Sequence, residues 1–96
     1  MYFVVRGFDR PGSLDVRMAN REAHLAFVKG GPVRLHIAGP LTDGDGQMRG
    51  SLLIFEADSE AQLRDWLTGD PYQKAGLFER VEIDAFKWVV GAPDSK

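Results

Sequence analysis

Apolar residues in this chain change period several times, and each change marks an element. Tyr2 to Phe8 is rich in β-branched and aromatic residues and predicts a strand. Asp9-Arg10-Pro11-Gly12-Ser13 is a turn, with Ser13 or Asp15 as the cap of the helix that follows. That helix runs to about Lys29 and stops at Gly30-Gly31-Pro32. Val33 to Ala38 alternates as a second strand, with Val33, Leu35 and Ile37 on one side and Arg34 and His36 on the other. Gly39 to Gly46 is a loop, and Ser51 to Ala57 is a third strand. Ser59-Glu60-Ala61-Gln62 has the spacing of a capping box and opens a short helix through Leu63, Trp66 and Leu67, ending at Gly69. Asp70-Pro71 starts one further turn of helix, and Glu79 to Val90 is a long final strand. The order β-α-β-β-α-β is the ferredoxin-like α+β arrangement.

Within the first helix the apolar stripe is Leu14, Met18, Leu25 and Val28. Helical geometry puts Arg21 inside that stripe, with Arg17 and His24 along one border. A charge on a packing face is costly unless it is paired, so this face is expected to meet a polar cavity or an anion. The third and fourth strands carry apolar residues on both sides, among them Leu52 and Ile54 opposite Leu53 and Phe55. Two helices cover only one face, so a second copy of the chain is expected on the other, giving a homodimer through the sheet.

Composition narrows the classes. Ninety-six residues fit one domain over 1–96, with the tail at 91–96 expected to fray. The net charge of −2 and the lack of a basic block argue against nucleic acid. With no cysteine, disulfides, thiolate nucleophiles and zinc–thiolate sites are excluded. Met1 to Arg6 is too short an apolar run for a signal peptide or membrane span, which makes a cytoplasmic location the default.

His24 is the candidate for proton transfer, since an imidazole in its neutral form can act as a general base. Asp70 is well placed as a helix cap, and both helices lie on one sheet face, so its carboxylate can also approach His24 and fix the imidazole tautomer. His36 reads as structural, at the dimer face. Asp43-Gly44-Asp45-Gly46 lacks the closing glutamate of a calcium loop and reads as a hairpin loop. Ser51 lacks the setting of a nucleophile and is instead a hydrogen-bond donor lining a pocket. Trp66 and Trp88 read as core.

Several pieces taken together resemble the YciI-like family: Arg21-Glu22-Ala23-His24-Leu25, Gly39-Pro40, Gly50-Ser51, the run from Trp66 through Asp70-Pro71-Tyr72 to Ala75-Gly76, and Phe86-Lys87. The resemblance implies a dimeric α+β barrel and an active site built on His24 and Asp70. One family member looks like a dehydrochlorinase of a chlorinated hydroxyquinol, and structural relatives include muconolactone isomerases and haem-handling barrels. Arg6 departs from the family pattern. The expectation is a small acid–base enzyme, a lyase or isomerase, acting on a small oxygenated or aromatic acid. His24 is its base and Asp70 its orienting partner, Arg21 and Arg17 hold an anion, and Ser51 and Tyr72 donate hydrogen bonds. Such chemistry requires no metal or redox cofactor. The alternatives are a non-catalytic small-ligand-binding module and, less favoured, a haem-binding barrel.

Overall fold

The computed structural model describes residues 1–93. β1 (Tyr2–Asp9), β2 (Arg34–Thr42), β3 (Met48–Glu56) and β4 (Phe78–Phe86) form one antiparallel sheet in the order β2-β3-β1-β4. α1 (Leu14–Lys29), α2 (Glu60–Leu67) and α3 (Pro71–Lys74) complete the ferredoxin-like α+β fold. Among the described residues no helix is long and apolar enough to cross a membrane.

Alternation along β1 sorts the two faces. Phe3 and Val5 point to the helices and are buried with Leu53, Phe55, Val28, Leu63 and Leu67. Val81 and Ile83, paired across from Gly7 and Val5, pack against this core. Burying side chains of this size contributes roughly 1.5–3 kcal/mol each. Gly7 is required by close packing: a Cβ there would lie 2.6 Å from the Phe78 ring. The Ser59 hydroxyl caps α2 by accepting from Gln62 N–H, while the Gln62 side chain accepts from Asp58 N–H.

Four local expectations are corrected. The sheet-facing side of α1 is Arg17, His24 and Val28, whereas Leu14 and Met18 are 40% and 50% exposed. At about 100° per residue, the buried side is rotated by roughly 70° from the apolar stripe. Arg21 is therefore exposed, and Arg17 is the buried cation. Second, β2 continues through Gly39 to Thr42, where a loop was expected, because Gly39, Pro40 and Leu41 pair with Leu52, Ser51 and Gly50. Third, the pairing of β2 slips between Leu35 and Ile37: Leu35 lies opposite Phe55 and Ile37 opposite Ile54. This bulge at His36 leaves Leu35 on the helix side and Ile37 on the open side. Fourth, β4 ends at Phe86, and Val89 and Val90 are 77% and 86% exposed.

The open face is only partly apolar. Tyr2, Ile37, Ile54 and Phe86 occupy one end, and Trp88 makes edge contact with Tyr2. Along β4 the same face carries Arg80, Glu82 and Asp84, with Arg6 donating to Glu82 at 2.7 Å. Positions 91–93 form no regular structure, and the rest of the tail lies outside the described residues.

Candidate active site

Arg17 and His24 are seven residues apart on α1 and so fall within about 20° of the same direction, toward the sheet. α3 closes the site from the other side. Asp70 is its N-cap and Pro71 its first residue, which suits a proline because no N–H is needed there. The Asp70 Oδ1 atom accepts twice, from Tyr72 N–H at 3.0 Å and from His24 Nδ1 at 2.9 Å. Capping thus fixes the carboxylate that fixes the imidazole. Since a carboxylate only accepts, the proton of a neutral His24 sits on Nδ1, leaving Nε2 as a lone-pair base. Nε2 has no hydrogen-bond partner among the described residues, and no fully buried side-chain polar atom is left unpaired, so Nε2 opens onto accessible space.

Tyr72 ties the pair to the rest of the site. Its ring stacks on His24 at 3.9 Å and 11°, and the Phe78 ring meets its edge at 5.8 Å. Tyr72 is 1% exposed. Burial pushes its phenol above the ordinary value, against the opposing pull of Arg17 and Arg21, so it stays a neutral donor near pH 7. The Arg17 guanidinium lies 4.9 Å from the same ring.

Asp9 is the residue that sequence reasoning missed. Assigned to a turn, it is the last residue of β1, and its carboxylate takes Arg17 bidentately, at 2.7 Å to Nε and 2.9 Å to Nη2. The side chains of this pair are only 4% and 6% exposed. Arg17 Nη2 also donates to Ser51 Oγ at 2.8 Å. Two signals pointed to Asp9: it continues the helix-facing series Phe3, Val5, Gly7, and a buried arginine requires a carboxylate nearby.

His24, Arg17, Ser51 and Tyr72 line one cavity of about 100 Å³, and Arg21 joins them from its exposed position. The remaining wall is apolar, with Leu25, Ala38, Pro40, Met48 and Leu53. The arrangement can accept a proton at Nε2 and stabilise a nearby oxygen by charge and hydrogen bonds. Among the described residues no group of three or more His, Asp or Glu side chains is arranged to hold a metal. His36 stands apart, on the open sheet face against Glu56.

The YCII-related domain profile matches residues 1–87. The chain belongs to the YCII-related family. It is 35% identical to an uncharacterized protein of Haemophilus influenzae, with 93% of this chain and 99% of that one aligned. It is 34% identical, over the same shares, to Protein YciI of Escherichia coli. Among solved structures it is similar to TftG, the 5-chloro-2-hydroxyhydroquinone dehydrochlorinase of Burkholderia phenoliruptrix, in complex with 2,5-dihydroxybenzoquinone. The TM-score there is 0.80 and the identity 37%, over 91% of this chain and 94% of that one. An antibiotic biosynthesis monooxygenase at 11% identity and a TM-score of 0.59 shares the fold alone.

Proposed function

We propose that this YCII-related protein is a small acid–base enzyme of the lyase or isomerase type, with the cavity at His24 as its active site. The observation that carries this reading is the buried His24–Asp70 pair at 2.9 Å with Nε2 unpartnered. His24 Nε2 takes a proton from carbon or oxygen of the substrate. Asp70 holds the ring and stabilises the imidazolium that forms. Arg17, Tyr72 and Ser51 surround the oxygen on which charge develops, and Arg21 stands at the rim.

A cavity of about 100 Å³ favours a ligand of one small ring, since an apolar void on the order of 150 Å³ admits benzene. TftG, which dehydrochlorinates a chlorinated hydroxyquinol, makes elimination from such a ring the first reaction to test. Haem at His24 is disfavoured by size, as cofactor pockets run to roughly 300–1,000 Å³. The apolar end of the open face, with Ile37 42% and Phe86 37% exposed, supports a homodimer through the sheets.

The test is chloride release from 5-chloro-2-hydroxyhydroquinone by wild type and His24→Ala. Loss of a general base is expected to slow turnover about 10²–10⁴-fold with the fold intact. An unchanged rate in the variant would overturn the assignment. Ligand binding without turnover in wild type, lost in Arg17→Ala but kept in His24→Ala, would favour the non-catalytic binding module.

A further inference from the structure

We propose that Asp9 sets the ligand class of this pocket: by committing Arg17, it makes the site accept an uncharged hydroxyl compound in preference to a carboxylate. The inference rests on the reading of the cavity as a ligand site and names what that site selects. Asp9 does not line the cavity, so it acts through Arg17 as a specificity-determining positioning residue.

The geometry of the guanidinium carries the argument. Arginine grips a carboxylate through two parallel N–H groups, either Nε with one Nη or one from each Nη. Nε and one Nη2 hydrogen are held by Asp9, and the second Nη2 hydrogen is held by Ser51. Neither fork is left whole. Among the described residues only Nη1 has no partner and no fully buried side-chain polar atom goes unpaired, so Nη1 reaches accessible space. A ligand carboxylate would meet a one-sided donor.

Charge points the same way. The cation of Arg17 is already matched by Asp9, and Asp70 adds a second carboxylate behind His24. Tyr72 is a neutral phenol, whose pKa burial raises further above its ordinary value. Arg21 is the remaining cation facing the cavity, and it is exposed and screened by solvent. An anion entering this desolvated space would therefore add a third negative charge beside one fully compensated arginine. The cavity leaves open a donor, Arg17 Nη1, and an acceptor, His24 Nε2, with the Tyr72 and Ser51 hydroxyls also on its wall. A single hydroxyl satisfies both, with its oxygen accepting from Nη1 and its O–H donating to Nε2. When the proton moves, the O–H bond breaks, an N–H bond forms on Nε2 and the oxyanion stays at Nη1, with no change in the net charge of the site.

Phenol and benzoate serve as probes, by calorimetric titration and thermal shift at pH 7. Wild type is expected to bind phenol at least tenfold more tightly than benzoate. In Asp9→Asn, which keeps the shape and removes the charge, benzoate binding is expected to tighten at least tenfold and to raise the melting temperature, while phenol gains nothing. Equal affinity of wild type for the two probes, no binding of phenol by wild type, or an unchanged preference in the variant would overturn the proposal. A wild-type measurement removes dependence on the folding of the variant. Affinity for 4-nitrophenol is expected to fall tenfold per pH unit above the point where the probe ionises, and a flat profile would overturn the proposal. Turnover that is lost in His24→Ala alongside an unchanged preference in Asp9→Asn would sink this inference and leave the acid–base reading standing. The expected change of preference in Asp9→Asn without any turnover in wild type would do the reverse.

Discussion

Two histidines face opposite sides of the same sheet, and each is hydrogen-bonded to a carboxylate. His24 Nδ1 is 2.9 Å from Asp70, and His36 Nε2 is 3.0 Å from Glu56. By distance alone the pairs are equivalent. Their surroundings differ. Asp70 is 5% exposed and also holds the first turn of α3, whereas Glu56 is 46% exposed and has no second duty. The His24 ring stacks flat on Tyr72, which closes one side and leaves Nε2 toward a cavity. The His36 ring meets Tyr2 and Trp88 edge-on within the aromatic end of the open face. A histidine–carboxylate pair therefore becomes a candidate for chemistry when both partners are locked from outside the pair and one ring nitrogen is left over. Glu56 and His36 have the first ingredient only weakly.

The largest expected contrast is in turnover. His24→Ala lowers the rate by about 10²–10⁴-fold, and His36→Ala leaves it unchanged in the same chloride-release assay. Comparable losses from both would erase the distinction. Stability is the next contrast. Asp70→Asn disturbs a buried acceptor serving two donors and is expected to cost about 1–3 kcal/mol in urea unfolding, whereas Glu56→Gln leaves the midpoint nearly unmoved. The association state comes third. Phe86→Asp on the open face is expected to shift the chain toward monomer in sedimentation while leaving the His24 cavity intact.

The smallest effects are those of pH. Hydrogen bonding to His36 is the main cause that holds the Glu56 carboxyl below its ordinary value of 4.5. A lowered carboxyl contributes stability above that value and loses it as the pH falls through the lower folded value. A slight acid destabilisation below 4.5 is expected, absent in Glu56→Gln. Tyr72 runs the opposite way, because burial raises its phenol above 10. Its contribution is complete below 10 and is lost as the pH climbs through the higher folded value. Alkaline melts of wild type and Tyr72→Phe should diverge only in that range.

The strand sequence, the span of α1 and the caps at Ser59 and Asp70 were legible because they rest on local rules of period and turn chemistry. The rotation of α1 was not. Leu14 and Met18 outweigh Arg17 in any hydrophobic reading of that helix, and only the carboxylate of Asp9, on another element, makes burial of Arg17 tolerable. Arg21 drew attention as the misplaced cation, yet the one inside is its neighbour one turn earlier. The shared helix layer allows His24 to approach Asp70, but the family resemblance, not local spacing, is what singles out the pair. The double use of one oxygen depends on the exact seat of α3, which no local pattern specifies.

The bulge at His36 has a consequence for the volume of the cavity. Past it, Ala38 and Pro40 face the helices, paired with Leu53 and Ser51, while Ile37, Gly39 and Leu41 face away. Had strict alternation held, Ile37 and Leu41 would have pointed inward and filled the hollow. The empty space is thus created by backbone parity, with one extra residue swapping a bulky row for a small one. Deleting that residue would turn Ala38 and Pro40 outward and plug the chamber while leaving His24, Arg17, Ser51 and Tyr72 unaltered.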